Sequence, residues 1–223
     1  MKKEFSTNLA GCFFIAASLM LWGGWMLLPH HIGVFFQSDD FPPIYERLRF
    51  WLWMYRIHLF GMIVSVLALV ALGTLLAETE ARILAWPGVA VASAGLIVSA
   101  IAAAFYYHFG VWGSIEMNGK SADAVLSFVD SLKITTEYVT CLVRFGRVFT
   151  GLGLLVLSLG LIKWRPLHLG IGISAAVIGL LSMAITMGFP DDLWFYMPVF
   201  HLTAFWLVAT GIVMLRSGVR LND

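Results

Sequence analysis

Long apolar stretches separated by short polar clusters set the pattern of the chain. Six of them reach the roughly 20 residues that a helix needs to cross about 30 Å of hydrocarbon at about 1.5 Å per residue. They cover about residues 9–28, 50–76, 83–107, 138–162, 167–189 and 195–215, and they predict six transmembrane helices. Three connections are tight, over Glu78 to Arg82, Lys163 to Pro166 and Pro190 to Trp194, which makes antiparallel neighbours of the helices they join. Two are long, residues 29–49 and 108–137. In the second, Ala122, Val125, Leu126, Val129 and Leu132 share one helical face, with Asp123, Ser127, Asp130 and Ser131 opposite. That phase predicts a short amphipathic helix in the loop before helix four, with Ser121 as its N-cap. Pro87 and Pro198 are expected in first turns, where proline is tolerated.

Composition turns the pattern into a class. Apolar residues make up 60% of the 223 and charged residues 12%. A soluble domain carries about 25% charged residues, so the chain has about half the charge that a solvated surface needs. Soluble enzymes, nucleic-acid binders and secreted disulfide scaffolds are excluded together. The predicted fold is a single all-α domain, residues 1–223, with the lipid bilayer as its solvent. Cys12 and Cys141 lie inside apolar stretches and make no disulfide framework. Leu9-Ala10-Gly11-Cys12 has the look of a lipoprotein cleavage box. The apolar run follows this cysteine instead of preceding it, so the segment is expected to stay as an uncleaved first helix.

Orientation follows from Lys and Arg at the helix ends. With a cytoplasmic N-terminus, Lys2, Lys3, Arg82, Lys163, Arg165, Arg216 and Arg220 are inside, against Arg47, Arg49, Lys120 and Lys133 outside. The bias predicts an N-in, C-in protein of a bacterial-type inner (cytoplasmic) membrane.

Under that orientation His30, His31, His58, His108 and His201 all fall in the outer half or outer loops, and so does every tyrosine. An interfacial aromatic belt explains part of this but does not explain intramembrane Arg and His. Measured from Phe50, Tyr138 and Phe195, the helical rise places His58 about 12 Å deep, Arg144 about 9 Å, Arg147 about 14 Å and His201 about 9 Å. Ionisable groups at such depth are functional candidates by default. Arg56, Arg144 and Arg147 face only one acid on the same helices, Glu137, which suggests that an anion comes from elsewhere. Arg144 and Arg147 are about 60° apart on their helix, whereas Arg56 and His58 are about 200° apart. His58 is therefore expected in the bundle interior and Arg56 at its rim.

Several readings fit these residues. His58 and His201 could hold a b-type haem between them, with Arg144 or Arg147 near its propionates, since two imidazoles from facing helices are what bis-histidine ligation needs. A quinone headgroup could take hydrogen bonds from the same histidines and from tyrosines. Copper or zinc could sit nearer the surface on His30, His31 and His108 with Asp39 or Asp40, although no motif spacing supports it. In the plainest reading the arginines reach lipid phosphates and the histidines are satisfied within the bundle.

Arg56-Ile57-His58, soon after Glu46-Arg47-Leu48-Arg49, resembles the early low-spin-haem helix of subunit I of the haem-copper oxidases and nitric oxide reductases, and His201-Leu202-Thr203 resembles its second ligand segment. The resemblance covers about 50 residues in two pieces and implies haem ligation by His58 and His201. The histidine cluster and tyrosine of the oxygen-reducing site have no counterpart, so oxygen chemistry is not implied. The layout is also similar to six-helix bacterial membrane proteins, which implies no activity. The expectation is an electron-transfer subunit with a b-type haem near the outer face, exchanging electrons with quinol or an outer redox partner. The alternatives are a non-catalytic accessory or assembly subunit of a larger membrane complex, and a membrane sensor or small-anion binder.

Overall fold

The computed structural model describes residues 2–27, 37–189 and 193–217. The described residues contain no strand, and six of their helices are long and apolar enough to cross a membrane. In chain order the helices are α1 (Lys2–Leu27), α2 (Phe41–Glu46), α3 (Leu48–Leu76), α4 (Arg82–Tyr107), α5 (Gly113–Met117), α6 (Ala122–Trp164), α7 (Leu169–Gly188) and α8 (Leu193–Ser217). A short 3-10 turn, Ser38–Asp40, precedes α2, and a π-helical turn, His108–Trp112, joins α4 to α5.

The six long helices follow one another around a ring. α1 packs on α3, α3 on α4, α4 on α6, α6 on α7, α7 on α8, and α8 closes back on α1. Phe14, Leu72, Leu76, Val89, Leu157, Leu161 and Met214 fill the centre and are fully buried. Leu19, Phe60, Ile101 and Phe205 are each more than half exposed on the outside. An apolar exterior over an apolar core is the arrangement of a multi-pass membrane protein, whose surface contacts lipid tails.

Close approach holds part of the ring. A Cβ on Gly88 would meet the backbone N of Leu157 at 2.5 Å, and Gly153 lies against the backbone of Ala92 in the same α4–α6 contact. Only a residue without a side chain lets two helix backbones come this near.

The helices differ in reach. α7 has 20 residues and is about 30 Å long, whereas α6 has 43 and is about 64 Å long. The two are joined at one end, so α6 runs about 34 Å beyond α7 at the other. α4, the π turn and α5 together form a second long rod, Arg82–Met117. Gly119 turns the chain between the rods with φ +73°, a left-handed conformation that a side chain would strain. At this end Phe41, Ile44 and Leu132 make a second small core, with Trp51, Phe105, Phe109, Val125, Phe128 and Val129 around it. The Trp51 indole also donates to the Pro43 carbonyl at 3.3 Å. Among the described residues the cap therefore stands on α3, α4 and α6, and none of it covers α1, α7 and α8.

Three expectations change here. The amphipathic segment is helical and Ser121 caps it, accepting from the Ala124 N–H at 3.3 Å, but it is the first part of α6 and not a separate helix. No glycine or proline occurs between Ala122 and Phe145, so nothing in the chain ends a helix there. Its buried face also differs, because Ala122 and Leu126 are exposed while Leu132 is buried. Finally, α4 begins at Arg82 and α8 at Leu193, so Pro87 and Pro198 lie in the second turn of their helices and not in the first.

Candidate functional site

His58 sits on the inner face of α3, 6% exposed, where α3 meets α1. The contact is close on both sides of it. A Cβ on Gly24 would lie 2.8 Å from the His58 Cβ, and one on Gly61 would lie 2.8 Å from the Leu21 N. Phe200 of α8 reaches across the interior to His58, with ring centroids 6.3 Å apart. Arg56 takes the opposite side of α3. Its Nε donates to the Tyr107 hydroxyl at 3.1 Å and its guanidinium lies 5.7 Å from the ring of Trp53, which is 57% exposed. Interior for His58 and rim for Arg56 is the division that helical phase predicts.

His201 on α8 is half-buried against α1. The Trp22 indole N–H donates to its Nδ1 at 3.0 Å, and Trp22 also meets Phe205 edge to face at 5.1 Å. His58 at Gly24 and His201 at Trp22 thus touch the same turn of α1 and lie at one level of the bundle. They do so from different sides. Phe200 points to His58, and the neighbouring position, His201, is turned about 100° away toward α1. α1 packs closely on both α3 and α8, which themselves meet through His58 and Phe200.

The chemistry of His201 follows from its one hydrogen bond. A neutral imidazole has one N–H and one lone pair, so an Nδ1 that accepts from Trp22 leaves the proton on Nε2. A haem-ligating histidine needs the reverse, a lone pair on Nε2 and a proton on Nδ1 directed at an acceptor. Tryptophan offers only a donor. As arranged, His58 and His201 do not fit one b-type haem.

The arginines stand elsewhere. Arg147 on α6 lies over the Tyr196 ring of α8, 3.9 Å from its centroid. Ser182 of α7 donates to the Arg147 carbonyl at 3.0 Å and shares a hydrogen bond of 3.2 Å with the Tyr196 hydroxyl. Arg144 is exposed on α6. Arg147 thus meets α8 at Tyr196, one turn before the Phe200 that reaches His58.

The surface-metal set is not assembled among the described residues. His30 and His31 lie outside them. His108 is exposed at the π turn beside Phe109, and Asp39 is exposed. Asp40 is buried and accepts from the Gln37 backbone N–H at 2.7 Å. No group of three or more His, Cys, Asp or Glu side chains that could hold a metal ion occurs among the described residues.

Sequence reasoning missed Trp22, Ser182, Tyr196 and Phe200. A tryptophan in an apolar run and a tyrosine near a helix start look like interfacial belt, and only the pairing of α1 with α8 gives Trp22 its partner. Comparison with known protein families, with curated proteins and with solved structures finds no match for this chain, so the resemblance to low-spin-haem helices rests on the residues around His58 and His201 alone.

Proposed function

We propose that this chain is a quinol-binding subunit of an electron-transfer complex in a bacterial-type inner membrane, with both termini cytoplasmic and the cap on the outer side. The observation that carries the reading is His201 at the contact of α1 with α8, held by Trp22 inside the apolar span and beside the ring of Phe205. An imidazole for hydrogen bonding and aromatic rings for stacking are what a planar dihydroxy ring in a bilayer requires. Oxidising such a ring releases two electrons and two protons. The chain's part is to hold the carrier, and the electrons pass to a redox partner in the same complex. The Lys and Arg bias of the loops supports the orientation.

Quinone is preferred to haem because of the His201 hydrogen bond, which occupies the ring as a ligating imidazole would not. The test is a visible spectrum of the purified protein with and without dithionite, with solvent extraction of the same sample. Co-purifying quinone without a sharp reduced α-band is the expected result. A six-coordinate low-spin α-band lost in His58→Ala and in His201→Ala restores bis-histidine haem, since two imidazoles supply that axial field. A colourless protein free of both haem and quinone leaves the non-catalytic accessory subunit.

A further inference from the structure

We infer that His201 donates its Nε2–H to the carbonyl oxygen of a bilayer-borne ligand lodged at the seam between α1 and α8, with Trp22 and Phe205 as the apolar walls of the site. In naming a quinone as that ligand the inference rests on the proposed function. The donor itself follows from geometry. Trp22 spends its only N–H on Nδ1, which fixes the proton on Nε2. His201 makes no other hydrogen bond among the described residues. It lies inside the last membrane-spanning helix, Phe195–Arg216, where lipid tails offer no acceptor.

The seam is also open. Phe205, one turn farther along α8, is 55% exposed while its ring rests on Trp22. A molecule moving in the bilayer can therefore reach the imidazole from the side, without passing through the ring of helices. The chemistry restricts what it can be. With Nδ1 occupied and Nε2 protonated, no lone pair remains for a metal or an ammonium group, and only an acceptor is recognised. A flat ring carrying a carbonyl satisfies both the donor and the aromatic walls. A lipid ester carbonyl offers the same acceptor without the ring.

The experiment uses the full chain in nanodiscs of either diacyl or dialkyl-ether phospholipid, titrated with a decyl-benzoquinone and read by tryptophan fluorescence quenching. His201 Nε2 is followed by 15N resonance in the same samples. The expected result is saturable quenching in both lipids. His201→Leu should weaken it about tenfold, the loss of one buried hydrogen bond, and His201→Gln, whose amide can replace the Nε2 donor, should restore most of it. Trp22→Phe should give His201 a second 15N tautomer signal, which tests that the indole fixes the proton on Nε2. If the quinone does not saturate but the Nε2 resonance shifts between ester and ether lipid, the acceptor is lipid, and the quinol reading fails while the donor stands. Saturable quenching that His201→Leu leaves unchanged overturns this inference and leaves the quinol reading in place. A flat titration with an Nε2 resonance indifferent to lipid overturns both. Unchanged melting temperatures of the variants show that the effects are not unfolding.

Discussion

The capped half of the bundle, α3, α4 and α6, and the uncapped half, α1, α7 and α8, share close helix approach and differ in what is added to it. Backbones come together through Gly88 and Gly153 in the first and through Gly11 and Gly211 in the second, and the first adds the aromatic core at the end of the rods. The second adds a set of side-chain hydrogen bonds between helices. Ser18 donates to the Ala204 carbonyl at 2.7 Å, Trp22 to His201 at 3.0 Å and Trp206 to the Ile171 carbonyl at 3.0 Å, and Ser182 ties α7 to both α6 and α8. Packing of small residues cannot change partners without a clash, whereas a hydrogen bond can be exchanged for one to a ligand. The half that binds through polar groups is therefore the half suited to chemistry.

The largest effect should come from Gly153→Leu, which drives a side chain into the Ala92 backbone and parts the two rods. Loss of monodisperse folded protein on size-exclusion chromatography is expected, beyond the usual 1–3 kcal/mol or so of overpacking. A folded, fully stable variant would break the contrast between the halves.

Phe41→Ala should come next. It empties the small core under the cap and should lower local stability there by about 3 kcal/mol. Hydrogen exchange should rise in residues 37–47 and leave α7 and α8 unaffected, and equal acceleration across the molecule would show that cap and bundle are one unit.

Trp206→Phe should be the mildest of the three. It removes one interhelical hydrogen bond at nearly constant volume, for about 1 kcal/mol, near the upper range for such bonds in membranes. A loss as large as that of Gly153→Leu would mean that the uncapped half has no slack to exchange.

The six spans were legible because apolar length alone decides them, and the division of His58 and Arg56 was legible because helical phase needs no partner. The unbroken α6 is written in the lack of Gly and Pro from Ala122 to Phe145, although the amphipathic phase of its first turns points to a separate helix. What could not be read was which helices meet. Depth placed His58 and His201 at one level, but only the contacts of each with α1 show that they address different spaces, and only the Trp22 contact decides where the His201 proton sits. Arg147 shows the same limit, since its depth is readable from Tyr138 but its tyrosine partner, 49 positions along, is not.

Because each helix packs on the next in sequence, most of the bundle can assemble as the chain is made, hairpin by hairpin. The contact of α1 with α8 is the exception, since it joins the first of the six long helices to the last. It pays the loop-closure entropy of the 179 positions from Trp22 to His201 and forms after the neighbouring pairs. The Trp22–His201 pair lies in that joint. A chain stopped after α7 can bury much of its core and still have no such pair, so the candidate site exists only once α8 has joined α1.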